Sequence, residues 1–248
     1  MQTILITGSS SGYGHETALY FHERGWRVIA TMRHPKPGIL PPSDRIVLQA
    51  LDVTNPASIA ACVAAAGPVD VLVNNAGLGL VGAFEATPLD YIRRIYDTNT
   101  FGVMAMTQAA LPGFRARSSG VIVNVTSSAV LAPSPYTAAY TSSKAAIEAL
   151  SRCLALELEP LGIRIKLIEP GHGPATQFAA NAFYDIEDLI PAAYQQYARP
   201  IFEAFAQPAA TTRAIDVAET IWAAVHDSSN RLQFPAGPDA LALWERQK

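Results

Sequence analysis

Thr3-Ile4-Leu5-Ile6-Thr7-Gly8-Ser9-Ser10-Ser11-Gly12-Tyr13-Gly14 decides the fold. Its first half is apolar at nearly every position, which predicts a strand over Ile4–Thr7 covered on both faces. Its second half is a glycine-rich turn, and a helix-like stretch, Gly14–Arg24, follows directly. Glycine at 8, 12 and 14 permits a tight turn, close backbone approach to a pyrophosphate and close helix–strand packing. A helix N-terminus adds free N–H groups and a partial positive charge where phosphates would lie. Strand, glycine turn and helix in that order favour a dinucleotide site over a purely structural turn.

Outward from this stretch, short β-branched runs recur at Arg27–Thr31, Ile46–Leu51, Val69–Asn74, Gly120–Val125, Ile163–Ile168 and Leu232–Phe234. Helix-like segments lie between them near Ala57–Ala66, Leu89–Ala116, Ala139–Glu159 and Ala214–His226. The alternation predicts an α/β fold, a doubly wound parallel sheet with helices on both faces. The Pro/Gly cluster from His34 to Ser43 reads as a loop or a degenerate helix rather than a linker. No composition break marks a boundary, so residues 1–248 are expected to form one dinucleotide-binding catalytic domain. Within it, 172–212 reads as a helical excursion over a substrate pocket, because Phe178, Phe183, Tyr184, Tyr194, Tyr197, Phe202 and Phe205 crowd there.

Composition narrows the partners. Half of the 248 residues are hydrophobic, the net charge is −3, and the 18 basic residues form no run, which argues against nucleic acid. Cys62 and Cys153 form no CxxC pair and read as reduced core thiols. The five histidines lack ligand spacing, so no metal is expected. Neither a signal peptide nor a run long enough to span a membrane is evident, and a cytoplasmic protein is the expectation.

The second run ends Val28-Ile29-Ala30-Thr31-Met32-Arg33. An acid at its end would bind the adenosine ribose hydroxyls, but Met32 takes that place and Arg33 follows. A guanidinium offers charge-assisted bonds to a 2′-phosphate, to which Ser10 or Ser11 could add a hydroxyl. The expectation is NADP(H), with NAD(H) possible; the plainer reading is a surface arginine that contacts nothing.

Tyr140 and Lys144 stand four apart in a helical stretch and share a face. Ser127 lies 13 residues before Tyr140, at the end of Asn124-Val125-Thr126-Ser127. Carbonyl reduction needs a hydride on carbon and a proton on oxygen, and a phenol with an ordinary pKa near 10 supplies the proton. An ammonium about 4 Å away, at an effective dielectric near 20, contributes about 4 kcal/mol, or roughly three pKa units. On that reasoning Lys144 alone brings Tyr140 close to neutral pH.

TGxxxGxG at Thr7–Gly14, Tyr140 with Lys144, and Ser127 at its offset resemble the roughly 250-residue branch of the short-chain dehydrogenase/reductase family. Asn74-Asn75-Ala76-Gly77, Leu51-Asp52-Val53, Asn99 in Asp97-Thr98-Asn99-Thr100-Phe101-Gly102, and Phe234–Ala240 as a last strand and exit turn extend the resemblance from residue 3 to about 240. It implies a Rossmann-type, mostly seven-stranded sheet. It also implies Tyr140 as proton donor, Lys144 on the nicotinamide ribose, and Ser127 on the substrate oxygen. Asn99 would bend its helix and hold a water that links to the lysine. Cofactor contacts are implied for Gly8, Ser10, Ser11, Gly12, Tyr13, Gly14, Arg33, Asp52, Val53, Asn74, Ala76, Gly77, Tyr140 and Lys144, and for Pro170, Gly171 and Thr176 near the carboxamide. The last segment departs from the family's P-G-x-V-x-T: Pro170-Gly171-His172-Gly173-Pro174-Ala175-Thr176 has no valine and a threonine one place late. His172 reads as a solvent-facing loop residue.

Asn75–Gly82 and Ala30–Arg33 look most like the hydroxysteroid and retinol dehydrogenase members. Leu78–Val81, Ala129–Tyr136 and the aromatic excursion are expected to line the substrate pocket. The excursion's cations are Arg199 and Arg213, which favours a neutral apolar alcohol or carbonyl. The alternatives are an extended nucleotide-sugar enzyme, disfavoured by glycine spacing and length, and a non-catalytic cofactor-sensing scaffold. Ser143, Ala145, Ala146 and Ala149 would let two helices pack closely, and the resemblance implies a homodimer or homotetramer; packing against the sheet is the plainer reading.

Overall fold

Alternate residues of the apolar runs are buried on opposite sides of one sheet, as the two-residue period of a strand requires. Ile4, Ile6, Val28, Ala30, Val71, Val73, Val121 and Val123 join one core; Leu5, Ile29, Leu72 and Ile122 join the other. The computed structural model describes residues 1–174, 176 and 183–247. Among these, the strands are β1 (Thr3–Ile6), β2 (Arg27–Met32), β3 (Ile46–Ala50), β4 (Val71–Asn74), β5 (Gly120–Val125), β6 (Ile163–Pro170) and β7 (Gln233–Ala236). They pair in the order β3-β2-β1-β4-β5-β6-β7, all parallel. The order reverses direction between β1 and β4, the switch point at which open α/β sheets bind their ligands.

The helices are α1 (Gly12–Glu23), α2 (Pro56–Ala66), α3 (Leu89–Tyr96), α4 (Gly102–Arg117), α5 (Ala138–Leu158), α6 (Ala192–Ala206), α7 (Ala214–His226) and α8 (Pro238–Glu245). Phe21 of α1 and Val217 and Ile221 of α7 close one core; Ile59 of α2, Met106 and Phe114 of α4 and Leu158 of α5 close the other. Asn55 caps α2 by accepting from the N–H groups of Ala57 and Ser58 at 2.9 and 3.2 Å, with Pro56 beginning the helix.

Two elements differ from the sequence expectation. Leu89–Ala116 is not one helix: α3 and α4 are joined by a π-helical stretch, Asp97–Phe101, centred on Asn99. One wider turn there re-aims a side chain without ending the helix. The exit turn after β7 is the start of α8, with Pro238 in its first turn and Asp239 beside the N-terminus. In the 172–212 excursion, α6 supplies the helix, and Phe178 lies outside the described residues.

Candidate active site

The glycine loop is built by contacts that exclude a side chain. Gly8 has φ +74°, and a Cβ there would lie 2.8 Å from Ala76 Cα. At Gly14 a Cβ would lie 2.4 Å from the Gly8 carbonyl oxygen and 2.5 Å from Asn75 Nδ2. The loop after β4 clasps it: Asn75 Nδ2 donates to the Thr7 and Gly8 carbonyls at 2.9 and 3.0 Å, and Thr7 Oγ1 accepts from the N–H groups of Asn75 and Ala76. Ser11 precedes α1 without a side-chain cap, and the first turn holds no acid, so its N–H groups and positive end are left for an anion. Ser10 is exposed and Ser11 half-buried at this end. A glycine cradle with an uncapped helix end fits a dinucleotide pyrophosphate.

Towards β2 and β3, Arg33 is exposed and its charge helps hold the Asp52 carboxyl below its ordinary range, after the larger effect of the Thr54 hydrogen bonds. Val53 lies against Gly102, where a Cβ would come within 2.9 Å of Val53 Cγ2. Asn74, expected among the cofactor contacts, is turned inward instead. It is 2% exposed, and its Nδ2 donates to Thr107 and Asn124. Asn124 donates in turn to Ser151 of α5, so this ladder ties β4 and β5 to the helix that carries the tyrosine. Asn75, Ala76 and Gly77, which follow β4, are half-buried.

Ser127, Tyr140, Lys144 and Asn99 converge at the C-terminal ends of β4 and β5. Ser127 hydrogen-bonds the Tyr140 phenol, and its Oγ also accepts from the Ala129 N–H. Lys144 is 4% exposed, and its Nζ donates to the Val125 carbonyl at 2.9 Å. Gly77 faces both Lys144 Nζ and Asn99 Oδ1, each 3.4 Å from where its Cβ would be. Asn99 is fully buried; its Oδ1 accepts from the Leu78 N–H, and its Nδ2 donates to the Leu78 carbonyl and Ser143 Oγ. Ser143 therefore belongs to the interior and is withdrawn from the face proposed for helix–helix packing.

The electrostatics correct one expectation. Burial raises the Tyr140 phenol, and the Ser127 hydrogen bond only partly offsets this. Burial also brings Lys144 down to about 8. With its ammonium committed to Val125 in a desolvated site, Lys144 alone does not bring the phenol to neutral pH.

Leu80, Ile95, Ala139 and Leu189 pack together with Leu78, Tyr91 and Tyr184. The loop after Gly77 is stitched to the excursion: the Val81 N–H donates to Tyr184 Oη at 2.8 Å and the Ala83 N–H to the Leu189 carbonyl at 2.9 Å. Tyr136 sits at φ +66°, a conformation costly for a tyrosine, with its ring against Tyr194 and Phe202 of α6. Arg199 pairs with Glu203 and Arg213 with Asp216, so both cations of the excursion are neutralised locally.

Pro170 is buried and Gly171 half-buried, and Thr176 lies over the glycine loop, its Cβ 3.4 Å from where a Gly12 Cβ would be. His172 is exposed, stacked beside Phe205. Sequence reasoning missed what anchors this loop. Asp239 of α8 accepts from the His172 N–H at 2.6 Å and from Thr212 Oγ1, and the Thr212 N–H donates to the His172 carbonyl. The signal was an acid just after Gly237-Pro238, at a helix start. Also missed was Glu169, fully buried beside Pro170 and pushed up to about 7 by burial.

Comparison with known proteins agrees with this geometry. A family model described as short chain dehydrogenase matches residues 2–186. The chain is 39% identical over 174 residues to a 3-ketodihydrosphingosine reductase of Bacteroides thetaiotaomicron, covering 68% of this chain and 63% of that protein. It is 38% identical over 181 residues to human retinol dehydrogenase 8, covering 68% and 58%. The match thus spans about three-fifths of the length of these relatives. Among solved structures, a short-chain dehydrogenase from Streptomyces avermitilis superposes with TM-score 0.87 at 33% identity, over 99% of this chain and 91% of that one. A serine dehydrogenase complexed with NADP+ gives TM-score 0.78 at 29% identity, over 94% of each chain. A short-chain dehydrogenase/reductase from Burkholderia phymatum in complex with NAD gives 0.80 at 25%, over 99% and 92%. The chain belongs to the short-chain dehydrogenase/reductase family.

Proposed function

We propose that this chain interconverts an apolar alcohol and its carbonyl compound, preferring NADP(H), with Tyr140 as general acid and base. The observation that carries the reading is the Ser127 hydrogen bond to the half-buried Tyr140 phenol, beside Lys144 and Asn99 around Gly77. Gly8, Ser10, Ser11, Gly12, Tyr13 and Gly14 would hold the pyrophosphate, Asp52 and Val53 the adenine, and Ala76, Gly77 and Lys144 the nicotinamide side. When bound, the nicotinamide supplies or accepts hydride. Tyr140 Oη holds the proton exchanged with the substrate oxygen, and Ser127 orients that oxygen through its hydroxyl. Lys144 and Asn99 hold the tyrosine's surroundings, and Asn99 fixes the loop at Leu78 that bounds the substrate. Burial of the Tyr140 phenol keeps it protonated, the state that carbonyl reduction requires.

Arg33, exposed and within electrostatic reach of Asp52, supports a 2′-phosphate. The apolar wall and the locally paired Arg199 and Arg213 support an uncharged substrate. One domain over 1–248, with 172–212 as its lid, is part of this reading. So is a homodimer or homotetramer, supported by exposed Phe101 and Leu156 where α4 begins and on α5. A cytoplasmic location is consistent with two free cysteines; among the described residues no helix is long and apolar enough to cross a membrane.

The test is fluorescence titration with NADPH and NADH, then turnover with a panel of apolar ketones and aldehydes. Tyr140→Phe should abolish turnover and leave cofactor binding intact. Arg33→Ala should weaken NADPH about 10-fold and leave NADH unchanged, the loss of one charge-assisted contact. Cofactor binding without turnover of any carbonyl would favour the scaffold alternative.

A further inference from the structure

Gly171 and Gly173 do not owe their identity to backbone conformation, since neither has a positive φ. They owe it to space. A Cβ at Gly171 would lie 2.1 Å from Asp239 Oδ1, and one at Gly173 would lie 2.1 Å from Tyr13 Oη and 3.0 Å from Tyr13 Cζ. The segment after β6 is thus gripped from two sides. On one side Asp239 and Thr212 hold His172 by hydrogen bonds from and to its backbone. On the other, the hydroxyl end of the Tyr13 phenol, from the glycine loop, occupies the volume that a side chain at 173 would fill. The Tyr13 hydroxyl lies 3.5 Å from the Gly171 carbonyl, a long contact, so ring packing rather than a strong hydrogen bond sets the fit. Tyr13 is also close enough to Tyr140 for the two phenols to influence each other's ionisation.

We propose that Tyr13 is a positioning residue: its ring, matched to the missing side chain at 173, fixes the Gly171–Pro174 segment against the glycine loop and Tyr140. Tyr13 and Gly173 form one steric pair, which accounts physically for a glycine at 173 in this chain. The aromatic side chain fills the space between the two loops that a side chain at 173 would otherwise need. The inference rests on the dehydrogenase reading, because it gives the segment a task at the nicotinamide end of the cleft.

The experiment is a double-mutant cycle of Gly173→Ala and Tyr13→Leu, with Tyr13→Phe as the conservative control. Three quantities are read: the Tm of the protein without cofactor, the Kd for NADPH by fluorescence, and kcat and KM with a working carbonyl. Gly173→Ala alone should lower kcat roughly 10-fold or more, since displacement by an ångström costs about that much or more. Tyr13→Leu alone should lower kcat about 5-fold, and the double variant should recover to within about 3-fold of the parent in kcat and Kd, as coupled neighbours do. Tyr13→Phe removes the hydroxyl that a Cβ at 173 would strike and keeps the ring, so combining it with Gly173→Ala should recover part of the kcat lost by Gly173→Ala alone. Independent losses in the double variant overturn the pair and leave the dehydrogenase reading standing. Recovery of Tm without recovery of kcat or Kd overturns the positioning role. A parent that binds neither cofactor overturns the dehydrogenase reading and the positioning role, while the Tm cycle still decides the contact.

Discussion

Replacing Glu169 by glutamine should change how stability depends on pH. Glu169 is fully buried at the end of β6; its Oε1 accepts from Gln233 Nε2 at 2.7 Å, and its Oε2 has no hydrogen-bond partner among the described residues. Burial pushes its carboxyl from 4.5 up to about 7. The folded value exceeds the unfolded one, so between about 4.5 and 7 the unfolded chain binds fewer protons, and stability falls as pH rises. At about 1.4 kcal/mol per pKa unit, the full cost above pH 7 is at most about 3 kcal/mol. Between pH 5.5 and 8 it grows by about 2 kcal/mol. Glu169→Gln keeps the Gln233 neighbour and removes the titration. Urea unfolding of both proteins should show the variant gaining about 2 kcal/mol on the parent from pH 5.5 to 8, roughly 4–8 °C in Tm for a chain of this size. A gap that stays constant with pH would refute the argument, because it would mean that the carboxyl ionises normally where it is buried.

Gly14→Ala places a methyl group 2.4 Å from the Gly8 carbonyl oxygen, so cofactor affinity should drop roughly 10-fold or more, read by NADPH fluorescence; wild-type affinity would show that the loop can shift. Tyr184→Phe removes the acceptor of the Val81 N–H, which should cost about 1–2 kcal/mol in urea unfolding and raise the KM for the carbonyl substrate more than it lowers kcat.

Much of the fold was legible because both faces of the sheet are covered. Runs such as Ile4-Leu5-Ile6 and Val71-Leu72-Val73 are continuous, and that continuity signals a buried parallel strand. The crossover without a helix between β2 and β3 was legible in Pro35, Pro37, Pro41 and Pro42. The π-helical stretch was legible only as the bend that the resemblance implies at Asn99; apolar periodicity runs through it, and the pull of Leu78 and Ser143 on Asn99 shows the wider turn. Among site residues, Ser127 was separable from Ser128 by its offset from Tyr140, and the hydrogen bond to the phenol falls on Ser127. Asn74 was misread because adjacent asparagines look alike in sequence, whereas one points into the sheet and the other at Thr7. The state of Tyr140 was misjudged because spacing gives the distance between two charges but not the desolvation that both suffer. The Tyr13–Gly173 contact joins segments far apart in the chain, and no local pattern encodes it.

The strand order bears on how the molecule is made. Ile4 pairs with Val28 on one side and Val71 on the other, so β1 gains its first neighbour well before its second emerges from the ribosome. Until β4 arrives, β1 presents an open, apolar edge to other nascent chains, the stage at which aggregation competes. The proposed cofactor site lies at the end of this β1–β4 seam. Its ligand therefore binds only chains that have closed it, and draws folding forward by mass action. Refolding yield should accordingly rise with dinucleotide present from the start, and adding it after the edge has been captured by another chain would come too late.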